Sequence, residues 1–355
     1  MTPYFLLLGL PAFFSLFNEK KKAEKKASVF ALDIFFLILL VLLSLRSVQC
    51  GIDLSNYHYY FVQVKGVGFF DLFSVYLEPG YFLLAKLTQI ISENFQVFLA
   101  VTSMITVIPI WMMYRKESSN AYLTVILFAT VAPFTMYFSG LRQILAMTLA
   151  VPAYYFTKKK KLFSFLLIIA VAYFFHQSSL LLLLLYPIYH VKLTKNAFFF
   201  VVPAMLAVLY FNSDIFSLTM RFLGDRYVER YQAMTSTGAY TVLILLFLLA
   251  FYAFLIPDPE KMDADTAGLR NILLVCVVIQ CFAPIHTIAM RMNYYFLIFI
   301  PILIPKLNAV AKSSYRQLAS MSAVAMNLVF TAWFFWNAYM GGDALNIFPY
   351  IPVWS

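Results

Sequence analysis

Arg142 is the first residue whose placement asks for chemistry. It follows Ser139 and Gly140 in the string SGLRQILA, so a turn delivers its guanidinium to the start of the helix that follows. A cation there opposes the helix dipole, an arrangement that makes sense when an anion such as a phosphate joins the free backbone N–H groups. Snorkelling toward lipid headgroups is the competing reading. Gln143 beside it can hydrogen-bond a sugar hydroxyl. Arg291 stands alike, at the head of an apolar run whose first turns hold Asn293, Tyr294 and Tyr295, where an arginine in an aromatic interfacial belt would give the same pattern. In RFLGDRYVERY, Arg226 and Arg230 are spaced one helical turn apart, as are Tyr227 and Tyr231, and such a pair could clamp one diphosphate. Arg221 with Asp225 and Arg226 with Glu229 describe a self-neutralised, solvated helix equally well.

Proton transfer needs a different set. His176 closes an apolar run in FFHQSS, with Ser178 or Ser179 placed to cap the next helix; an imidazole at a membrane helix end is costly, which points to function or to a structural hydrogen bond. His286, in APIH, repeats the pattern more weakly. Asp53, in GIDLSNYHYY, and Glu78, in YLEPGY, are the carboxylates of interest. Glu78 precedes Pro79 and an amphipathic apolar segment that holds it at the membrane surface, where burial is expected to raise its pKa toward that of a useful general base. Either carboxylate could instead cap its helix. The expected catalytic residues are therefore Glu78, Asp53 and His176. The expected substrate-binding residues are Arg142, Gln143, Arg226, Tyr227, Arg230, Arg291 and Tyr294. No metal-ligand spacing and no nucleotide-binding signature is evident, and no cofactor is expected.

The elements that must position these residues are written in the composition. With 63% apolar and only 12% charged residues, the chain lies outside the soluble globular range, and its apolar runs suit a hydrocarbon core that needs about 20 helical residues per crossing. The expected fold is all-α, a polytopic membrane protein forming a single integral membrane domain over 1–355. About twelve transmembrane helices are expected, near 3–17, 28–48, 95–114, 120–138, 141–157, 162–177, 178–191, 196–212, 239–256, 270–286, 290–306 and 318–338. The run at 78–92 is apolar enough to tempt a further span, but counting it would turn the lysines at 158–161 outward. It is read, with 56–64, as a helix on or dipping into the outer leaflet within a first outer loop, 49–94. A second outer loop covers 212–238.

Under this threading both termini face outward and the first run is a retained helix, since basic residues follow it rather than precede it. Of 26 basic residues, all but eight fall in cytoplasmic loops. The outer eight are Arg46, Lys65, Lys86, Arg142, Arg221, Arg226, Arg230 and Arg291, mostly arginines, which suit phosphate better than lysines do. The net charge of +10 follows the membrane-orientation pattern and does not indicate nucleic acid. Cys50, Cys276 and Cys281 have neither metal nor redox spacing and read as packing residues.

At D-x3-Y (Asp53, Tyr57), EPGY (Glu78 to Tyr81), GLRQILA (Gly140 to Ala146) and FHQSSLL (Phe175 to Leu181), the chain resembles the EpsG-like, Wzy-type polymerases of bacterial capsule, exopolysaccharide and O-antigen synthesis. The resemblance implies the GT-C type of membrane glycosyltransferase architecture. It also implies that an undecaprenyl-diphosphate-linked glycan is moved from its carrier onto an incoming lipid-linked repeat unit, at the extracytoplasmic side of the bacterial plasma (inner) membrane; the arginines themselves could stabilise the departing diphosphate, so a metal-independent reaction is expected. Donor and acceptor are then both undecaprenyl-diphosphate-linked oligosaccharides, and a chain-length regulator is a candidate partner. By motif position Arg142, His176 and Arg291 would be site residues. Relatives carrying paired acids or Pro-Pro ahead of the surface helix differ from the single Glu-Pro-Gly here, which leaves the base open among Glu78, Asp53 and His176. Two rival classes stand beside this one. A lipid-linked oligosaccharide flippase should show homologous halves and cations in mid-span. A membrane O-acyltransferase would need access to a cytoplasmic acyl donor.

Overall fold

Long apolar runs can satisfy their backbone inside a membrane only as helices or closed barrels, and these runs lack the alternation of a barrel. The computed structural model describes residues 2–16, 21–69, 71, 77–193, 197–223, 239–340 and 345–355. Among them every extended regular element is helical, and β-pairing is limited to the isolated bridges Arg46–Pro352 and Pro257–Ala311. In chain order the helices are α1 (Thr2–Leu16), α2 (Lys21–Leu45), α3 (Leu54–Lys65), α4 (Pro79–Ile91), α5 (Phe95–Glu117), α6 (Ala121–Thr130), α7 (Met136–Ser139), α8 (Leu141–Thr148), α9 (Ala150–Lys158) and α10 (Leu162–Phe175). A 3₁₀ segment (Gln177–Leu184) leads into α11 (Leu185–Tyr189). Then follow α12 (Ala197–Tyr210), α13 (Asn212–Leu223), α14 (Ala239–Leu255), α15 (Ala264–Gln280), α16 (Thr287–Leu297), α17 (Ile300–Ala309) and α18 (Arg316–Met340).

The chain is an integral membrane protein, but its helices are more broken than the hydropathy runs implied. Phe95–Glu117 and Ser313–Met340 are each long and apolar enough to cross a membrane. Two bent pairs, Phe199–Tyr210 with Asn212–Leu218 at 69° and Thr287–Leu297 with Ile300–Ala309 at 51°, raise the number among the described residues to four where each pair is one broken span rather than a re-entrant loop. Other expected spans are short or divided. The run at 141–157 is α8 and α9, parted at Leu149; the run at 178–191 is the 3₁₀ segment and α11; the run at 120–138 ends as α6 and resumes as the short α7. The physical reason is proline. Pro133, Pro152, Pro187 and Pro301 each lie within or just beyond a break, where the ring removes a donor and crowds the carbonyl one turn back. Hydropathy registers the apolar length and passes over the interruption.

The main core joins α1, α2, α5, α6, α9, α14, α15, α16, α17 and α18, and all three cysteines are buried. A smaller core holds α3 and α4 on the start of α5 through Tyr57, Phe61, Tyr81, Phe82, Phe95, Phe98 and Leu99. As expected for the segment at 78–92, α4 is a short amphipathic helix. Its 13 residues extend about 20 Å, too little for a hydrocarbon core of about 30 Å.

A polar cluster occupies the opposite end of α5. Lys158 Nζ lies 3.2 Å from Glu117 and 2.9 Å from Asp265, while Lys306 Nζ lies 2.9 Å from Glu117 and also bonds Asp265. The hydroxyls of Tyr154 and Tyr189 donate to Asp265 at 2.6 and 2.7 Å. Two carboxylates thus meet two ammonium groups, and this neutralised set joins α5, α9, α15 and α17.

Candidate active site

Backbone packing brings the first site residue into place. Gly51 has φ +130°, and a Cβ there would stand 2.5 Å from the Phe138 carbonyl oxygen, so this close approach is open only to glycine. The following turn lies against Ser139. The Asp53 N–H donates to Ser139 Oγ at 3.2 Å, and that hydroxyl donates to Asp53 Oδ2 at 3.1 Å. A second close approach fixes Glu78. At Gly80, two residues on, a Cβ would meet the Phe175 ring at 2.9 Å and the Phe174 carbonyl at 3.0 Å. The start of α4 therefore sits on the end of α10, where His176 follows directly.

Asp53 and Glu78 each occupy the N-cap position of a helix, yet neither side chain makes a capping hydrogen bond. Glu78 is engaged elsewhere. Its Oε2 accepts from Arg142 Nη1, and its Oε1 lies 3.2 Å from His176 Nδ1. Burial acts to raise the Glu78 carboxyl pKa, but the His176 hydrogen bond and the Arg142 guanidinium outweigh it and hold the group below its ordinary value. This corrects the expectation of an elevated pKa: the carboxylate is desolvated, but it is also paired. The anion expected beside Arg142 is, in this structure, Glu78 itself.

Arg142 begins α8 as expected, with its guanidinium carbon 5.6 Å from the centroid of the Tyr57 ring. Gln143 points its amide away from solvent, donating to the Arg291 carbonyl at 2.6 Å. That bond ties α8 to α16. Asn293, further along α16, donates to the Cys276 carbonyl at 2.9 Å and to Gln280 Oε1 at 3.0 Å, securing α16 to α15. Ser178 does not cap a helix; its hydroxyl lies 3.0 Å from that of Tyr295.

These contacts surround a cavity of about 160 Å³ lined by Asp53, Asn56, Tyr57, Tyr60, Met136, Gly140, Arg142, Gln143, His176 and Arg291. Of the expected site residues, Asp53, Arg142, Gln143, His176 and Arg291 share this wall, drawn from α3, α8, α16 and the junction after α10. Glu78 is not part of the lining and stands behind it, bonded to two residues that are. Tyr294 is a correction: it is buried in the main core and contributes nothing to the cavity. Arg226, Tyr227 and Arg230 lie outside the described residues.

The other cations expected on the outer face divide sharply. Arg46 is fully buried and donates to the Leu43 carbonyl, which caps the end of α2. Lys65 pairs with Glu93 at 2.7 Å on the surface. Arg291 is exposed at the cavity and has no carboxylate partner among the described residues. The sequence reading missed Asn56 and Tyr60 and gave Tyr57 no role. The signal was present, since Asp53, Asn56, Tyr57 and Tyr60 fall on one stripe at helical spacing.

The arrangement can bind an anion between two guanidinium groups and accept a proton at an imidazole or carboxylate beside it. No curated protein and no solved structure matches the chain. A family model does, over residues 29–351 and hence over all the motifs and cavity residues above, and on that match the chain belongs to the EpsG family.

Proposed function

We propose that this protein is a polysaccharide polymerase that transfers a growing glycan from undecaprenyl diphosphate onto an incoming lipid-linked repeat unit, at the extracytoplasmic face of the bacterial plasma membrane. The observation that carries the reading is the shared cavity: Arg142 and Arg291 line it together with His176 and Asp53. A glycosyl carrier leaves as a diphosphate, and guanidinium groups aimed at the departing oxygens supply the stabilisation that the step requires without calling on a metal. Family membership supports the polymerase class in general; the lipid carrier and the face of the membrane are part of the proposal.

In the proposed step an acceptor hydroxyl gives its proton to His176 Nε2 while its oxygen attacks the anomeric carbon. The bond from that carbon to the diphosphate oxygen breaks, and its electron pair leaves with the diphosphate, held by Arg142 and Arg291. Glu78 is a positioning residue. By accepting from Nδ1 it turns Nε2 toward the cavity, and by binding Arg142 it sets the angle of the guanidinium fork. Asp53 is the second candidate base, because it reaches the cavity and Glu78 does not.

The orientation rests on two polar groups at opposite ends of α5. The cavity's small core packs on Phe95, and the lysine-bearing cluster holds Glu117. The intervening helical length is about 33 Å, close to the thickness of a hydrocarbon core. With the loops on the Glu117 side assigned to the cytoplasm, the excess of Lys and Arg taken together then obeys the positive-inside rule. A flippase would place its cations in mid-span, and an acyltransferase would need its site at the lysine end.

The test supplies purified protein with a synthetic undecaprenyl-diphosphate repeat unit and looks for a ladder of longer products without added nucleotide sugar. Arg142→Lys should lower turnover about 10²- to 10³-fold, since a point charge replaces a two-pronged donor. A normal ladder from that variant would remove Arg142 from the site, and wild-type protein that makes no ladder would defeat the assignment.

A further inference from the structure

Six of the ten residues that line the cavity are neither acidic nor basic. Asn56, Tyr57 and Tyr60 line it from α3, and Tyr57 lies buried beneath the Arg142 guanidinium with its backbone carbonyl accepting from Tyr81 at 3.0 Å. Asn56 is exposed and Tyr60 half-buried, one helical turn apart, and neither the Asn56 amide nor the Tyr60 hydroxyl has a hydrogen-bond partner among the described residues. The Tyr60 ring is held by the small core and by an edge contact to Tyr59 with centroids 5.8 Å apart. A rigid aromatic face beside an unspent amide and hydroxyl does little for a phosphate, which wants cations, or for a lipid tail, which wants no donors. It suits a neutral polyhydroxylated ring, whose C–H face lies on the aromatic while its hydroxyls meet the amide.

We infer that Asn56 and Tyr60 form a sugar subsite that holds the monosaccharide attached directly to the diphosphate. The placement rests on the proposed diphosphate site: the same small cavity carries Arg142 and Arg291, so a sugar on this wall must be the one nearest the leaving group. Asn56 and Tyr60, one helical turn and so about 6 Å apart on the wall, span a single sugar ring rather than an oligosaccharide. The subsite would therefore read the first sugar of the repeat unit and leave the distal ones outside.

Two probes test this with full-length protein in nanodiscs: undecaprenyl diphosphate alone, and undecaprenyl diphosphate bearing a single glucose. Wild-type protein should bind the glycosylated probe more tightly. The double variant Asn56→Ala with Tyr60→Ala should lose about tenfold in affinity for it, the combined worth of one aromatic contact and one hydrogen bond, while binding bare undecaprenyl diphosphate as before. Tyr60→Phe, which retains the packed ring, should keep most of the preference and guards against misfolding as the cause. Equal losses for both probes, or wild-type indifference to the sugar, would overturn the subsite. If Arg142→Lys leaves both affinities unchanged while the sugar preference persists, the diphosphate site fails and the sugar wall survives it.

Discussion

Glu78 divides one carboxylate between a guanidinium and an imidazole that lie 64 and 98 positions away in the chain. Its lowered pKa argues against a base, and its place behind the cavity supports the positioning role proposed for it. A double-mutant cycle separates the two roles. Glu78→Gln should lower turnover about 10²-fold alone but clearly less in a His176→Gln background, where only its hold on Arg142 is left to lose, because residues that act as a unit are not additive. Fully multiplicative losses would show Glu78 acting independently of His176. Because the folded pKa lies below the ordinary value, the Glu78–Arg142 pair forms fully at neutral pH and is lost only as pH falls through that lowered value. The chemical types at Glu78, Arg142 and His176 were legible from local strings, since cations at helix starts and carboxylates before proline are local patterns. Their contacts were not, because no local rule joins positions so far apart.

The elements act through close approach and interruption. Gly80→Val places methyl groups where the Phe175 ring and the Phe174 carbonyl already stand, so α4 must lift from α10 and carry Glu78 with it. The expected result is loss of the polymerisation ladder at a size-exclusion profile like wild type, whereas undiminished activity would show that the α4–α10 contact does not position the site. At the far end of α5, burial pushes the Asp265 carboxyl up, but bonds from Lys306, Tyr154 and Tyr189 prevail and set it at about 2 against an ordinary 3.8. A depressed carboxyl contributes stability that is present above the ordinary value and lost as pH falls through the folded one. The cluster should therefore give on the order of 2 kcal/mol at neutral pH, lost between about pH 4 and 2. Thermal unfolding in detergent should show a midpoint drop across that window in wild type, and a much smaller one in Asp265→Asn, which starts destabilised. The existence of these helices was readable from apolar length. Their breaks at Pro133, Pro152, Pro187 and Pro301 were readable too, but a hydropathy window weighs a proline by its apolarity and not by its missing N–H.

Across the whole molecule, a cavity lined by two arginines and a cluster built on two lysines face each other along the length of α5. Reporter fusions after Lys161 should score cytoplasmic and fusions within 212–238 external; the reverse would place the cavity on the wrong side for a lipid-linked donor. The sequence by itself determined the class of material, an all-helical membrane chain of the EpsG family, and the kinds of group available for chemistry. Composition and short motifs carry that information because each reports a local energy: transfer into hydrocarbon, helix termination, charge at a helix end. Only the tertiary structure decided which cations share a cavity, that Arg46 and Tyr294 are packing residues, that Glu78 stands behind the wall bonded to two residues of it, and that Asn56 and Tyr60 line it. Those outcomes depend on two glycine close approaches, at Gly51 and Gly80, that bring distant backbone together, and contact of that kind is a property of the packed chain and of no single segment.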